Sequence, residues 1–260
     1  MFNFKFRKSS QYLNDQESFH FRKSNRYLVS YLGTSTLAFM MFFISISISK
    51  IDYFWLLSFS LGLLAFGILF LATEKFYLPY RIHDQNSDKY LKGIIGELRI
   101  QKELENIPKK DFSVFQHIEI PKNGDIDFIV VGQGSIFTIE VKNYSYPIKT
   151  NGKYLLIGEK DFQNKSIIND LKKRTMFVHE CIEKVIKKKF FIHPILVFVG
   201  RKNVLEFEPR DIAGVFVCDE KSLVKTLAEH IASDGRLPVE DIKKIIDVVE
   251  SMAQINLNEV

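Results

Sequence analysis

Two short runs of the sequence combine carboxylates and a lysine with strand-forming residues. They read DIDFIVV (125–131) and IFTIEVK (136–142), and a Gly-Gln-Gly turn separates them. Twelve residues lie between Asp127 and Glu140. In an antiparallel pair joined by a short turn, the start of one strand lies beside the end of the next. We therefore expect Asp127 and Glu140 to meet.

The chemistry of this cluster follows from its charges. Alternation along a strand places Glu140 and Lys142 on one face, and Asp127 can share that face. Neighbouring carboxylates repel each other, and a divalent cation such as Mg²⁺ removes that cost. Lys142 can then hold water or offset charge in the transition state, which is the chemistry of metal-assisted phosphodiester hydrolysis. The alternative is a structural salt bridge between Lys142 and Glu140.

The elements around these runs predict an α/β domain with a mixed sheet. Apolar spacing predicts helices over 88–106, 163–189, 220–232 and 238–253. Strand-like runs cover 113–120, 126–131, 136–142, 153–158, 195–200 and 214–218. A helix therefore precedes the carboxylate strands, and a second helix follows them.

Four pieces of this region occur together in order. They are Gly96-Glu97, Gly124-Asp125-Ile126-Asp127, Gly134 and Ile139-Glu140-Val141-Lys142-Asn143. The arrangement resembles the PD-(D/E)XK nuclease superfamily and, within it, the nuclease-related (NERD) branch. The resemblance covers about residues 88–200 and implies a restriction-endonuclease-like core.

The resemblance also implies a role for each matching residue. Asp127 and Glu140 would be direct metal ligands, the Val141 carbonyl a further ligand, and Lys142 the catalytic cation. Glu97 would complete the catalytic set by holding a second metal or a metal-bound water. The implied ion is Mg²⁺, with Mn²⁺ as the alternative, and the implied substrate is nucleic acid, DNA rather than RNA.

The helix after the site departs from the family pattern. Its Asn-Pro-x-x-Gln opening is missing, although Gln163 or Asn169 could substitute. Basic residues follow at Lys172, Lys173 and Arg174. They are either contacts to nucleic-acid phosphates or a solvated helix face.

Two stretches near the N-terminus are long enough to cross a membrane. Residues 27–49 and 53–73 contain 23 and 21 residues without a charged side chain, and a spanning helix needs about 20. Two buried core helices are the alternative. Basic residues flank both ends, and only Lys50 lies between the spans. The positive-inside rule predicts a cell-membrane protein whose N-terminus and C-terminal domain are both cytoplasmic.

These features predict four segments. They are a basic aromatic segment (1–26), a transmembrane hairpin (27–73), a linker (74–88) and a nuclease-like domain (89–260). In the first segment FRKSxxYL occurs twice, 15 residues apart. This repeat suits anionic lipid headgroups or nucleic acid, and the alternative is a topology signal alone. Two cysteines in 260 residues exclude a disulfide-stapled scaffold. They form no C-x-x-C pair, so the sequence gives no support for a structural zinc site.

Three functions compete at this point. The first is a membrane-anchored, metal-dependent nuclease on the cytosolic face, serving DNA processing or defence against foreign DNA. The second is an inactive nuclease fold that tethers nucleic acid or a protein partner to the lipid bilayer. The third is an assembly protein that works through its hairpin. A homo-oligomer is left open.

Overall fold

The structure is a computed structural model that divides into two compact units. It describes residues 4–5, 9–49, 55–107, 112–121, 123–132, 134–158, 162–164, 166–188, 190–200, 204–233 and 237–255. Residues 10–92 form one unit, called here the hairpin unit. Residues 1–9 and 93–260 form the other, called the α/β unit.

The hairpin unit is built from long apolar helices. They are α1 (Ser9–Ser49), α2 (Trp55–Ala72) and the first half of α3 (Leu78–Glu105), which a π-helical turn (Thr73–Tyr77) joins to α2. Two helical stretches, Ser18–Ser47 and Leu57–Glu105, are long and apolar enough to cross a membrane, judged by length and composition. Their apolar windows are only 11% and 17% buried. This favours lipid-facing helices over a buried helical core.

Helices α1 and α2 contact each other through two small residues. The Ser45 hydroxyl donates to the Ser58 carbonyl at 2.5 Å, and the Ser58 hydroxyl donates to the Ser45 carbonyl at 2.7 Å. Small residues let helices approach closely in an apolar environment. Other hydroxyls bond back to their own helix, among them Thr34 and Ser47, which satisfies these donors within the helix.

The segment expected to be a linker differs in the structure. Residues 74–88 are helical throughout, in the π-helical turn and α3. Ser87, the residue just before the helix expected over 88–106, lies inside α3 and is buried. Pro79 is the second residue of α3 and directly follows the π-helical turn. A proline inside a continuous helical run removes one backbone hydrogen bond, and such a π-helical turn is a common irregularity of helices. The polar residues expected to break the chain therefore continue the helix.

The α/β unit contains a mixed sheet, as the sequence predicts. Within the described residues its strands are β1 (Phe4–Lys5), β2 (Phe112–Ile120), β3 (Gly124–Gly132), β4 (Ile136–Tyr144), β5 (Ile148–Thr150), β6 (Leu155–Ile157), β7 (Phe162–Asn164), β8 (Ile192–Gly200), β9 (Arg210–Ile212) and β10 (Val215–Asp219). Seven of them form one sheet in the order β1-β2-β3-β4-β8-β10-β9. Strands β2, β3 and β4 are antiparallel, whereas β4, β8 and β10 are parallel.

Helices cover both faces of this sheet. The second half of α3 and α5 (Leu223–Ser233) pack on one face, where Ile100, Leu104 and Leu227 are buried. Helices α4 (Ser166–Ile186) and α6 (Val239–Ile255) pack on the other face. The central strands are therefore buried on both sides, which explains their continuous apolar runs.

The structure adds elements that the sequence pattern did not predict. Strands β5 and β7 were not predicted; they pair with β6, which lies within the run expected over 153–158, in a separate three-stranded sheet. The helix expected over 163–189 begins at Ser166, because β7 precedes it. Strand β1 pairs in parallel with β2 at the edge of the main sheet, where Phe4 lies opposite Val114.

Candidate functional site

The expected meeting of the two carboxylate runs occurs in the structure. Strands β3 and β4 pair in antiparallel register, with Phe128 opposite Ile139. Asp127 therefore lies at the end of the ladder beside Glu140. The Asp127 Oδ2 atom accepts a hydrogen bond of 2.6 Å from the Val141 backbone N–H. Both carboxylates are buried, with Asp127 8% and Glu140 3% exposed.

The alternation of side chains between the two faces of β3 is interrupted at Asp127. Ile126 packs in the α4/α6 layer and Phe128 in the α3/α5 layer, although residues two apart normally share a face. Strand β2 has a matching irregularity at His117, whose φ is +58°. The two irregularities face each other, because Gln116 pairs with Phe128 and Ile118 with Ile126. The Asp127 side chain can thereby reach the backbone of β4.

Two cations hold Glu140. Lys142 Nζ donates to Glu140 Oε1 at 2.6 Å. Arg174, on α4, donates from Nη1 to Oε2 at 2.8 Å and from Nη2 to Oε1 at 3.3 Å. Arg174 Nη1 also donates to the Asp125 carbonyl. Glu140 is therefore held by its own strand and by a helix.

Helix α3 brings Glu97 to the site through a close approach to β4. A Cβ atom at Gly96 would lie 3.2 Å from the Asn143 Cβ and 3.4 Å from the Val141 Cγ1. Only glycine allows the helix backbone to come this near without displacing a neighbour. Glu97 follows at once and lies near enough to Glu140 and Asp125 for their charges to raise its pKa.

Burial and mutual repulsion set the charges of the acidic groups. Burial raises the pKa of Glu97 from 4.5 to about 7. Burial also raises the pKa of Asp127 well above its ordinary value, and the charges of Glu140 and Glu97 add to that rise. Both groups therefore resist ionisation unless a further positive charge is present.

Lys142 keeps its proton. Burial alone would lower its pKa, but the charges of Glu140 and Asp127 and the hydrogen bond to Glu140 raise it above the ordinary value. A lysine with a raised pKa is a fixed positive charge and a hydrogen-bond donor. Lys142 can thus stabilise negative charge, whereas it is unsuited to removing a proton from water.

Asp125, which lies two residues before Asp127 on β3, has a partner in the structure. Its Oδ2 lies 3.0 Å from Nδ1 of His117. Burial alone would raise the pKa of Asp125, but His117 and Arg174 lower it below its ordinary value. The same contact raises the pKa of His117. The pair adds an ionised carboxylate and a basic imidazole to the edge of the site.

The three basic residues at the start of α4 do not share one environment. Lys172 and Lys173 are both exposed. The Lys172 Nζ donates to the Ala213 carbonyl at 3.0 Å. The Lys173 Nζ lies 3.9 Å from the Asp170 Oδ1. Arg174 is only 9% exposed and points to Glu140. Contact with nucleic acid stays a prediction for the two lysines, and Arg174 belongs to the site instead.

The two residues that could substitute in the missing helix-opening motif are not brought into the site by any contact of the described residues. Asn169 is exposed, and the Gln163 side chain lies outside the described residues.

A signal for the inward position of Arg174 was present in the sequence. Leu171, Thr175, Val178 and Ile182 are buried on one side of α4, and Arg174 falls at the same helical spacing. A basic residue on an apolar stripe needs a buried acidic partner. His117 carried no comparable signal, because its backbone conformation depends on the neighbouring strand.

The donors present suit a hard divalent cation. Glu97, Asp127 and Glu140 offer carboxylate oxygens, which Mg²⁺ and Mn²⁺ prefer. The raised pKa values of Glu97 and Asp127 indicate a local shortage of positive charge. Within the described part of the chain, however, no three His, Cys, Asp or Glu side chains are grouped closely enough to hold a metal ion. The donor chemistry therefore supports a cation, and the ligand geometry would have to tighten around it.

Comparison with protein families gives one match. Residues 92–199 match the family described as "Nuclease-related domain" (NERD). The matched region begins on α3 just before Glu97 and ends within β8, so it contains every side chain described above as part of the carboxylate cluster. No curated protein and no solved structure matches the chain.

Proposed function

We propose that this chain, which carries a nuclease-related domain over residues 92–199, is a membrane-anchored, metal-dependent nuclease that hydrolyses phosphodiester bonds. The observation that carries the proposal is the buried pair Asp127 and Glu140 with the Lys142 ammonium against it. DNA is the proposed substrate and the cytosolic face the proposed location.

The mechanism assigns a task to each residue of the site. Asp127, Glu140, Glu97 and the Val141 carbonyl would hold a divalent cation, which supplies Lewis-acid activation and charge neutralisation when bound. The Val141 N–H orients the Asp127 carboxylate. Lys142 keeps its proton and stabilises the negative charge that develops on the phosphate.

Two features support a role at a membrane. The apolar windows of the hairpin unit are mostly exposed, which suits contact with lipid. Strand β1 at the N-terminus pairs with β2 of the α/β unit. Strands β1 and β2 lie on either side of the hairpin unit in the sequence, so their pairing requires an even number of membrane crossings between them, and two spans satisfy that condition.

A cleavage assay tests the function. Purified full-length chain in detergent micelles is offered single- and double-stranded DNA and RNA, with Mg²⁺, Mn²⁺ or EDTA. We expect cleavage of DNA that requires the metal and falls roughly 10²–10³-fold in Lys142→Met, the scale for loss of one charge-stabilising donor. Lys225→Met, on the exposed surface of α5, is the matched control and should cut like the unmodified chain.

Two results would count against a nuclease of this kind. One is cleavage that survives in EDTA, and the other is full cleavage by Lys142→Met. Equal cleavage by the unmodified chain, Lys142→Met and Lys225→Met would show that the cleavage does not come from this site, whatever its source.

An inactive binding module is the second candidate. Arg174 and Lys142 already neutralise Glu140 without any metal, so a stable site does not by itself require turnover. The helix after the site also lacks the family's opening motif. This candidate predicts salt-sensitive binding of DNA without cleavage in either metal.

A further inference from the structure

The segment that follows the carboxylate strand β4 combines aromatic and basic residues. Residues 143–158 contain three tyrosines and two lysines but no acidic residue. They are Tyr144, Tyr146, Tyr154, Lys149 and Lys153. Surfaces that bind unpaired nucleic-acid strands have this composition, because aromatic rings stack on bases and cations contact phosphates.

Tyr144 continues the face of β4 that carries Glu140 and Lys142. Side chains two residues apart on a strand point to the same side, and these three follow one another at that spacing. The Tyr144 ring packs on Phe198, with 5.7 Å between the ring centroids. Burial raises the pKa of Tyr144, and the charges of Lys142 and Glu140 act on it in opposite directions. The phenol therefore lies within electrostatic reach of the site.

Tyr146 projects from the surface two residues further along. It is 60% exposed and lies in the bend between β4 and β5. The backbone after it is fixed by two hydrogen bonds. The Pro147 carbonyl accepts from the Gly158 N–H at 3.3 Å, and the Ile148 N–H donates to the Val204 carbonyl at 2.8 Å. An ordered bend thus presents an exposed aromatic ring.

The spacing keeps this ring close to the site. Tyr146 follows Lys142 by four residues, and an extended chain covers at most about 3.6 Å per residue, so their Cα atoms are at most about 14 Å apart. A stacked strand of nucleic acid advances about 3.4 Å per nucleotide. A strand whose phosphate lies at Lys142 therefore reaches Tyr146 within about four nucleotides.

An exposed ring can stack on a base only where the base is free of its duplex. In a duplex, each base is paired and stacked between its neighbours, so it must be extruded at a cost in free energy before a side chain can stack on it. In a single strand this cost is small. The Tyr146 ring therefore favours a single strand over a duplex.

We propose that Tyr144 and Tyr146 form a stacking surface that leads a single strand of nucleic acid to Lys142. The inference rests on the proposed function for the cleavage step, whereas binding of the strand does not depend on it. Lys149, on β5 three residues after Tyr146, adds positive charge for the phosphates. Stacking uses the face that all bases share, so this surface does not select a base sequence.

Binding of oligonucleotides in EDTA tests the inference without relying on cleavage. Fluorescence anisotropy of a labelled single-stranded DNA, or of the duplex with the same sequence, is measured while full-length chain in detergent micelles is added. We expect the single strand to bind more tightly than the duplex. Tyr146→Ala should weaken single-strand binding about 5- to 150-fold, the range for loss of one stacked base, and leave duplex binding unchanged. Tyr146→Phe keeps the ring and should bind like the unmodified chain.

Phe191 supplies a matched control. It is 66% exposed, comparable to Tyr146, but it lies at the opposite end of β4, because the next residue, Ile192, pairs with Ile136. Ile136 and Tyr144 are eight residues apart, which is about 26 Å along an extended strand. Phe191→Ala removes an exposed ring far from the site and should leave both affinities unchanged.

Several results would overturn the inference. They are no binding of the single strand, equal affinity for the duplex, unchanged affinity in Tyr146→Ala, or an equal loss in Phe191→Ala. The exposed ring contributes little to folding, so the Tm of Tyr146→Ala should match that of the unmodified chain. If that variant does not fold, Tyr146→Leu, which keeps an apolar side chain without a ring, should show the same loss of single-strand binding.

The inference and the proposed function can fail separately. Single-strand binding that depends on Tyr146 but leads to no cleavage would support the stacking surface and count against the nuclease. Metal-dependent cleavage of single strand and duplex at equal rates, unaffected by Tyr146→Ala, would support the nuclease and overturn the role of Tyr146.

Discussion

The acidic residues of the site are folded into positions that oppose their own ionisation. Asp127 and Glu97 both have raised pKa values, and burial is the largest cause in each case. A surface carboxylate would ionise freely and would bind a cation only weakly. Burying the pair lowers the stability of the folded protein, and the divalent ion of the proposed nuclease would offset that cost.

This arrangement predicts a pH dependence for the metal-free protein. The pKa of Glu97 is about 7 in the fold against an ordinary 4.5. Protonated Glu97 therefore stabilises the fold fully below about pH 4.5, and this stabilisation is lost as the pH rises through about 7. In EDTA we expect a lower Tm at about pH 8 than at about pH 5, and a smaller difference in Glu97→Gln.

A variant on the same helix serves as the control for this pH effect. Glu105 is exposed near the end of α3, so Glu105→Gln should keep the full pH dependence of the unmodified chain. Equal pH dependence in Glu97→Gln and in the unmodified chain would show that Glu97 does not carry the effect.

At the scale of elements, the approach of α3 to β4 decides whether Glu97 reaches the cluster. The helix passes β4 at Gly96, where even a methyl group would press on Asn143 and Val141. The neighbouring turn of the helix contains Gly93, where a Cβ would meet nothing within 4 Å. The two glycines therefore differ in packing while sharing the same helix.

This pair gives a matched prediction. Gly96→Val should force α3 away from β4, lower stability by about 1–3 kcal/mol and reduce cleavage by displacing Glu97. Gly93→Val has the same change in helix propensity without the clash, so its Tm and cleavage rate should stay near those of the unmodified chain. The comparison uses thermal unfolding and the cleavage assay. Equal losses in the two variants would mean that close packing at Gly96 is unimportant.

At the scale of the whole molecule, the arrangement of basic residues predicts the topology. Charged residues flank the two apolar stretches on their outer sides, and the short connection between them is nearly free of basic residues. The positive-inside rule therefore predicts that both ends of the chain stay in the cytosol. A nuclease placed there would meet nucleic acid at the inner surface of the membrane.

Cysteine labelling of intact cells tests this topology. The background is Cys181→Ser, since Cys218 is buried. We expect a membrane-impermeant maleimide to label Asp52→Cys in intact cells, and Glu229→Cys, on the exposed surface of α5, only after lysis. Labelling of Glu229→Cys in intact cells would place the α/β unit outside.

The sequence by itself determined the features that depend on neighbouring residues. Strands β3 and β4 are joined by a short turn, so the meeting of Asp127 and Glu140 follows from local pairing and was predictable. The two apolar stretches and the α/β class likewise follow from composition and periodicity. The family resemblance rested on the same local motifs, and it matches the nuclease-related domain found over residues 92–199.

Only the tertiary structure decided the features that depend on distant parts of the chain. Arg174 joins Glu140 across 34 residues of sequence, and the side chain it meets depends on how α4 packs on the sheet. The irregularity at His117 and Asp127 depends on two strands deviating together. The continuation of helix through 74–88 depends on packing within the hairpin unit, since the local residues alone favour a turn. The local sequence thus specified which chemical groups occur, and long-range packing decided which of them face one another.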